Sequence, residues 1–141
     1  MLPTKRMISS FDGEYRFLSN FYPAEVEYEG VRYPTVEHAY QAAKTLVHEI
    51  REAIRACPSA GQAKRAGRTI GLRPGWDGIK DSTMLQLLRE KFFKHKDLGD
   101  RLLDTAPEEL VVCNGVGLNT LGHLLENVRW ELRITRERDG C

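Results

Sequence analysis

The order of patterns along the sequence predicts an α+β fold: a mostly helical single domain over residues 1–141, with a β-hairpin and short strands. Residues 24–33 alternate apolar and polar side chains around a turn, and several amphipathic helical segments follow them. One short apolar run then precedes a final helix. A doubly wound sheet would need many more alternations of strand and helix. The length of 141 residues suits one ordinary domain.

Composition narrows the function classes. The formal net charge of +1 argues against a surface that is basic throughout, as many nucleic-acid-binding domains have, although local basic patches are compatible with it. The three cysteines form no CxxC pair and no short Cys/His spacing, so neither a metal site nor a disulfide framework is expected. No apolar run reaches membrane-spanning length, so we expect no membrane partner and a cytoplasmic location.

The first elements are predicted from alternation and turn residues. The aromatic-rich residues 11–23 indicate a short strand that runs into an ordered loop. Residues 24–33 indicate a hairpin, with its turn at Glu29 and Gly30. Thr35 is suited to cap a first helix that runs from Val36 to about Val47.

Further helices are predicted from capping signals. Residues 48–57 form a second helical segment, and Ser59 with Gln62 has capping-box spacing for a third helix that ends near Gly71. Asp81 or Ser82 is expected to cap a fourth helix with a broad apolar stripe.

The C-terminal part is expected to hold a short helix, a strand and a final helix. The short helix covers about residues 97–105, and the buried strand covers Glu109 to Cys113. The final amphipathic helix is predicted from Thr120 to about Ile134, and the charged tail beyond it is expected to fray.

The first helix separates two faces. Glu37, Gln41, Lys44 and His48 share a narrow polar stripe. The expected core face consists of Val36, Ala39, Tyr40, Ala43, Leu46 and Val47. The pattern alone leaves two readings of the stripe open, because Glu and Lys at helical spacing are typical both of a solvated face and of an active-site face. His38 is expected to satisfy local hydrogen bonds at the start of the helix.

Several other features of the sequence are compatible either with ligand binding or with a purely structural or solvated role. Lys64, Arg65, Arg68, Arg73 and Lys80 form a basic group that is either a solvated face or a phosphate clamp. Trp76 would stack on a base or cover the edge of the core. The loop at 114–119 lacks GxGxxG spacing and is either a plain turn or an anion contact at a helix start. His95, His123, Cys57 and Cys113 are expected to be structural.

Five blocks of sequence, taken in order, resemble those of a known protein family. FDGEYRFLSNFYP at 11–23, GVRYPTVEHAYQAAK at 30–44, AKRAGR at 63–68, GLRPGWDGIK at 71–80 and GLNTLGHLLENVR at 117–129 stand in this order. From residue 11 to about residue 134 the chain resembles the NADAR family, NAD- and ADP-ribose-associated proteins related to an N-glycosidase of riboflavin intermediates. YPTVEHAYQAAK is the most specific of these matches.

The resemblance implies an enzyme that hydrolyses an N-glycosidic bond to ribose. It implies catalytic roles for Glu37 and Lys44. It also places Asn20, Arg68, Trp76 and Lys80 along the site, and the other predicted substrate-binding residues are Phe21, Gln41, Lys64 and Asn119. In this reading Glu37 either stabilises the oxocarbenium-like transition state or activates water, and Lys44 is either a general acid or a Schiff-base nucleophile. No metal and no cofactor are needed.

The sequence departs from the family pattern at one place. Family members usually carry an acidic residue and a Trp-Gly pair before the last helix, whereas here LVVCN runs directly into GVGLN. The shorter loop suggests an open site and favours a bulky substrate, ADP-ribosylated guanine in DNA, with a cognate ADP-ribosyltransferase toxin as a partner. The near-neutral charge weighs against nucleic acid. The alternatives are a ribosylated amino-pyrimidine phosphate as a small nucleotide-like substrate, and a non-catalytic module that binds NAD or ADP-ribose.

Overall fold

The structure, a computed structural model, describes residues 6–112 and 119–140. It has the predicted α+β class, mostly helical with short strands. The chain divides into two compact units, one of Asn20–Lys91 and the other of Met1–Ser19 with Phe92–Cys141, as far as these are described. The expectation of a single domain over residues 1–141 stays a prediction.

The elements of the described residues form two small sheets, β1 with β4 and β2 with β3. In chain order they are β1 (Met7–Ile8), a 3-10 helix (Gly13–Leu18), β2 (Val26–Tyr28), β3 (Val31–Tyr33), α1 (Val36–Ala43), α2 (His48–Arg55), α3 (Ala60–Gly67), α4 (Trp76–Lys94), α5 (Lys96–Asp104), β4 (Glu109–Leu110) and α6 (Thr120–Asp139).

The predicted hairpin is confirmed in the unit of residues 20–91. Strands β2 and β3 pair antiparallel, with Val26 opposite Tyr33. Glu29 and Gly30 have φ angles of 48° and 83°, and two consecutive residues in the left-handed region match the twist of a two-residue hairpin. Val26, Tyr28 and Tyr33 are buried, so one face of the hairpin belongs to the core as expected.

Helix α1 is shorter than predicted. It begins after Thr35, whose hydroxyl oxygen accepts from the backbone N–H of His38, but it ends at Ala43 instead of near Val47. The backbone carbonyl of Lys44 accepts from the N–H of Arg73 at 2.7 Å, which takes that carbonyl away from a continuing helix. The prediction that Leu46 and Val47 belong to the core is wrong, because both are exposed.

Helices α3 and α4 differ from the prediction at their ends. Ser59 accepts from the backbone N–H of Gln62 at 3.2 Å, which confirms the predicted cap of α3, although the helix ends at Gly67 and not near Gly71. Helix α4 begins at Trp76, so the predicted start at Asp81 or Ser82 is wrong. The turn before α4 contains Gly75, which is left-handed with φ of 76°, whereas Gly78 lies inside the helix.

The other unit contains a parallel strand pair that the sequence did not predict. In β1 and β4, Ile8 lies opposite Leu110. A 3-10 helix replaces the predicted strand near residue 15. The adjacent Phe17 and Leu18 are both buried, whereas neighbouring residues of a strand point to opposite faces. Phe17 packs edge-on against Phe92, with ring centroids 6.4 Å apart.

The last helix is longer than predicted. Helix α6 continues to Asp139, so the expectation of a frayed tail after Ile134 is wrong for residues 135–139. Arg136 bonds to Asp100 of α5, and this ion pair holds the last turns of α6. Strand β4 covers only Glu109–Leu110, whereas the predicted strand ran to Cys113. Cys113 and residues 114–118 of the predicted loop lie outside the described residues, and so does the place where this chain lacks the family's insert.

None of the helices within residues 6–112 and 119–140 combines the length and the apolar character that crossing a bilayer requires.

Candidate functional site

The first two residues of the polar stripe, Glu37 and Gln41, are buried, whereas His48 belongs to α2 and is exposed. Glu37 is 7% exposed and Gln41 is 4% exposed, so the reading of these two residues as a solvated face is wrong. They lie one turn apart, and Gln41 Nε2 donates to Glu37 Oε1 at 2.7 Å. A buried carboxylate without such a donor would be strongly disfavoured, so this bond is part of what permits Glu37 to lie in the interior.

Lys44 follows at the end of the same helix and is half-buried. Burial lowers its pKa, the charge of Glu37 opposes that change, and the charge of Lys64 adds to it. Its Nζ lies 5.9 Å from the centre of the Tyr40 ring. The structure thus brings the two predicted catalytic side chains within electrostatic range of each other, with an amine that gives up its proton more readily than an exposed lysine.

Asn20 lies next to Glu37. Its backbone carbonyl accepts from the N–H of Glu37 at 3.1 Å, and its side-chain Nδ2 contacts the sulfur of Met84 at 3.6 Å. The Oδ1 atom is buried and has no hydrogen-bond partner among the described residues. A buried acceptor of this kind is suited to a donor group on a bound ligand.

Lys64 and Phe21, both predicted to bind substrate, are also close to each other. Lys64 Nζ lies 5.9 Å from the centre of the Phe21 ring, and Phe21 is 43% exposed. An exposed ring beside a cation is the combination that stacks on a base next to a phosphate.

Trp76 packs within the protein. It is 5% exposed, and its ring centroid lies 5.3 Å from that of Tyr40 at an interplanar angle of 56°. This packing favours the reading of Trp76 as a cover over the core edge. Burial raises the pKa of Tyr40, and the charges of Asp81 and Glu37 add to the effect. The sequence assigned Tyr40 to the core and Asp81 to a helix cap, and it gave neither residue a place near Lys44. The available signal was a tyrosine one turn before Lys44.

The basic group is dispersed. Lys80 pairs with Asp77 at 3.6 Å. Arg73 lies 3.9 Å from Glu29, in a separate cluster with Arg51. Of the predicted clamp, Lys64 and Arg68 stand four residues apart along the end of α3, and both are exposed.

His38 has a structural role, as expected. Its Nε2 lies 3.0 Å from the carbonyl oxygen of Cys57, and its Nδ1 lies 2.8 Å from Thr35 Oγ1. Since a carbonyl only accepts, Nε2 carries the proton, and in the neutral ring Nδ1 accepts from the Thr35 hydroxyl. Both ring nitrogens are therefore used to hold α1 in place.

Asn119 belongs to the unit that contains β4 and α6. Its Nδ2 donates to the carbonyl of Leu110 and its Oδ1 accepts from the N–H of Val112, each at 2.7 Å. The amide thus binds the backbone at the last residue of β4 and two residues beyond it. The predicted role of Asn119 in substrate binding stays a prediction.

Within residues 6–112 and 119–140, no three side chains of His, Cys, Asp or Glu cluster in a way that could hold a metal ion.

Comparison with known proteins decides the family. The NADAR domain model matches residues 8–133, which is most of the chain. The chain belongs to the NADAR family. The sequence resemblance to NADAR proteins is thereby confirmed.

Relatives of known name share this NADAR region. N-glycosidase YbiA of Shigella flexneri is 37% identical over 140 residues, covering 90% of this chain and 88% of that protein. Riboflavin biosynthesis protein VVA0006 of Vibrio vulnificus is 33% identical over 135 residues, which cover 86% of this chain but 37% of that longer protein. The solution structure of Escherichia coli YbiA superposes with a TM-score of 0.83 at 35% identity, covering 96% of this chain and 89% of that one.

Proposed function

We propose that this NADAR protein is an N-glycosidase that hydrolyses the bond between the anomeric carbon of a ribose and an amino nitrogen of a base. The observation that carries the proposal is the buried Glu37 carboxylate, bonded to Gln41 and followed by Lys44, an amine with a lowered pKa. The printed name of the Shigella relative, an N-glycosidase, supports the same reaction class.

Glu37 has the chemistry that the transition state requires. As the bond from the anomeric carbon to nitrogen breaks, positive charge develops on the sugar, and a carboxylate held in a low-dielectric site stabilises it strongly. The same carboxylate can instead accept a proton from the attacking water. In either role it must keep a fixed orientation, which the bond from Gln41 provides.

Lys44 can take part in the hydrolysis by either of two mechanisms. As a protonated general acid it would give a proton to the leaving amino nitrogen while water adds to the anomeric carbon. As a neutral nucleophile its Nζ would form a bond to the anomeric carbon as the bond to the base nitrogen breaks and that nitrogen takes up a proton. The ring then opens to an imine, which water hydrolyses to release the sugar and the lysine. The lowered pKa of Lys44 favours the second route.

Substrate binding is assigned to the residues around this pair. The Oδ1 of Asn20, without a partner among the described residues, accepts from a ribose hydroxyl. Lys64 and Arg68 bind phosphate, and the exposed ring of Phe21 stacks on the base. Lys80 completes the binding surface, and the buried Trp76 acts from behind it by supporting Tyr40.

We propose ADP-ribose attached to guanine in DNA as the substrate, with a cognate ADP-ribosyltransferase toxin as the source of the modification. The shortened loop before α6 and the exposed ring of Phe21 beside Lys64 support a bulky nucleotide-containing substrate. A ribosylated amino-pyrimidine phosphate is the second candidate, which the riboflavin name of the Vibrio relative favours.

One experiment separates these functions. The protein is incubated with ADP-ribosylated single-stranded DNA and, separately, with the ribosylated amino-pyrimidine phosphate, and released sugar is measured by mass spectrometry. Release from the DNA supports the first proposal, and release only from the pyrimidine supports the second. Tight binding with no release from either identifies a non-catalytic reader of ADP-ribose and refutes the enzyme.

Borohydride added during turnover tests the role of Lys44. Under the nucleophile route, reduction of the imine leaves a stable sugar adduct that peptide mass spectrometry locates at Lys44. Turnover without an adduct supports the general-acid route.

A further inference from the structure

Gly67, in the last turn of α3, lies directly against the Gln41 side chain. A Cβ atom built on Gly67 would overlap Gln41 Oε1 and would lie 2.6 Å from its Cδ and 3.1 Å from its Cγ. Real Cβ atoms essentially never come within 3.0 Å of such an atom, so the contacts with Oε1 and Cδ would force a shift, and the contact with Cγ would be tighter than most. The backbone of α3 therefore forms one wall against the Gln41 amide, and only a residue without a side chain leaves room for that amide.

The contact determines which way Gln41 points. Its Oε1 faces Gly67 and has no hydrogen-bond partner among the described residues, while its Nε2 donates to Glu37 at 2.7 Å. The carboxylate accepts only, so the amide cannot be turned round without placing two acceptors together. Gln41 is thus held between Gly67 on one side and Glu37 on the other.

The helix itself gives no reason for glycine at this position. Glycine destabilises a helix relative to alanine because it loses more backbone freedom on folding. Gly67 does not have a positive φ angle, so alanine would be acceptable to the backbone. Gly61, in the first turn of the same helix, shows what an unconstrained position looks like, since its added Cβ would meet nothing closer than 3.9 Å.

We infer that Gly67 is a positioning residue: through Gln41 it sets the orientation of the Glu37 carboxylate. The inference rests on the proposed role of Glu37 in glycoside hydrolysis, and it adds a residue of α3 to the machinery on α1. A side chain at 67 would push the Gln41 amide away, the bond to Glu37 would break, and the carboxylate would lose its fixed direction.

The first test observes the contact without using activity. In ¹⁵N-labelled protein, the side-chain amide signals of Gln41 are assigned by their absence in Gln41→Ala. We expect Gly67→Ala to move these signals towards the position of a free amide, and Gly61→Ala, the matched control, to leave them in place. Unchanged signals in Gly67→Ala overturn the inference.

The second test measures turnover on the substrate that the parent protein cleaves. We expect Gly67→Ala to lower kcat by about 10- to 100-fold, the cost of misplacing a catalytic group by roughly 1 Å, with a smaller change in KM and with turnover of Gly61→Ala near the parent value. A kcat of Gly67→Ala equal to that of Gly61→Ala, although the amide has moved, refutes the positioning role.

A double variant separates positioning from simple destabilisation of α3. In Gln41→Ala the clash is absent, so adding Gly67→Ala should lower kcat no further. Additive losses would show that Gly67 acts on folding and not through Gln41. If the parent itself cleaves neither substrate, the proposed function fails, whereas the amide signals still decide whether Gly67 fixes Gln41.

Discussion

The Gln41 amide and the Glu37 carboxylate form a bond of 2.7 Å between two side chains that are both buried on one helix. Such a pair is expensive to place in the interior unless each partner satisfies the other. Glu37→Gln removes the negative charge and keeps the shape of the side chain, and the new amide still offers an oxygen to Gln41 Nε2.

Glu37→Gln tests the proposed chemistry directly. We expect kcat to fall by about 100- to 10,000-fold, the usual range for removing a positioned acid-base or electrostatic group, while substrate affinity changes little. Turnover and binding of the ADP-ribosylated DNA measure the two effects. Glu25→Gln, at an exposed position, is the control and should retain parental rates. A loss of less than a few-fold in Glu37→Gln would remove Glu37 from the mechanism.

Lys64→Met tests the electrostatic coupling to Lys44. Burial is the main reason why the pKa of Lys44 is lowered, and the positive charge of Lys64 lowers it further. Removing that charge favours protonated Lys44 and raises its pKa, so the limb of the pH–rate profile that reports Lys44 should move to higher pH. The direction is the same whether Lys44 acts as nucleophile or as general acid.

The profile of kcat/KM against pH measures this shift. Lys96→Met is the control, because Lys96 lies in the other unit and pairs with Asp100. A limb that stays in place or moves to lower pH in Lys64→Met contradicts the coupling.

His38→Ala tests the structural assignment of the histidine. The side chain is buried and both ring nitrogens have partners, so its loss leaves a cavity and an unsatisfied carbonyl at Cys57. We expect a loss of about 2–4 kcal/mol in the free energy of unfolding, measured by urea denaturation, with kcat preserved in the folded protein. His48→Ala, at an exposed position, should change stability by less than about 0.5 kcal/mol. A large fall in kcat without loss of stability would instead place His38 in the chemistry.

Local signals account for the part of the fold that the sequence predicted. The turn at Glu29 and Gly30 and the cap at Ser59 depend on residues within four positions of each other. The carbonyl of Lys44, just after α1, accepts from the N–H of Arg73, which is 29 positions further along the chain, and no local pattern predicts a bond between them.

The candidate site shows the same difference between local signals, which the sequence reports, and long-range contacts, which it does not. Helical spacing predicted that Glu37, Gln41 and Lys44 share a face, but it did not predict that the first two are buried. Their burial involves the packing of α3 against α1, and the contact between Gly67 and Gln41 that makes this possible joins residues 26 positions apart. The family resemblance supplied the roles that spacing alone left open.

A buried lysine outside the proposed site gives the last prediction. Lys91 is fully buried in α4, and its Nζ lies 5.7 Å from the centre of the Tyr22 ring. Burial lowers its pKa from 10.5 to about 7. The unfolded chain therefore binds this proton more tightly than the folded protein does, and between these two pKa values folding must release it.

The sign of the pH effect follows from that release. Below about pH 7 both states are protonated and the full cost of burying the charge is present, whereas above about pH 10.5 both are neutral and the cost is gone. The contribution of Lys91 to the free energy of unfolding should thus rise with pH, by at most about 1.4 kcal/mol per unit. Lys91→Met, which keeps the side-chain length, should be more stable than the parent at neutral pH and should lose this rise.

Urea denaturation from about pH 7.5 to about pH 9.5, within the window where the two states differ in protonation, measures the effect. The difference in unfolding free energy between Lys91→Met and the parent should shrink steadily as the pH increases. Lys94→Met is the matched control, because Lys94 is exposed on the same helix and its replacement should give a difference that does not vary with pH. A constant difference for Lys91→Met as well would mean that Lys91 keeps its proton when the protein folds, held by a compensating charge.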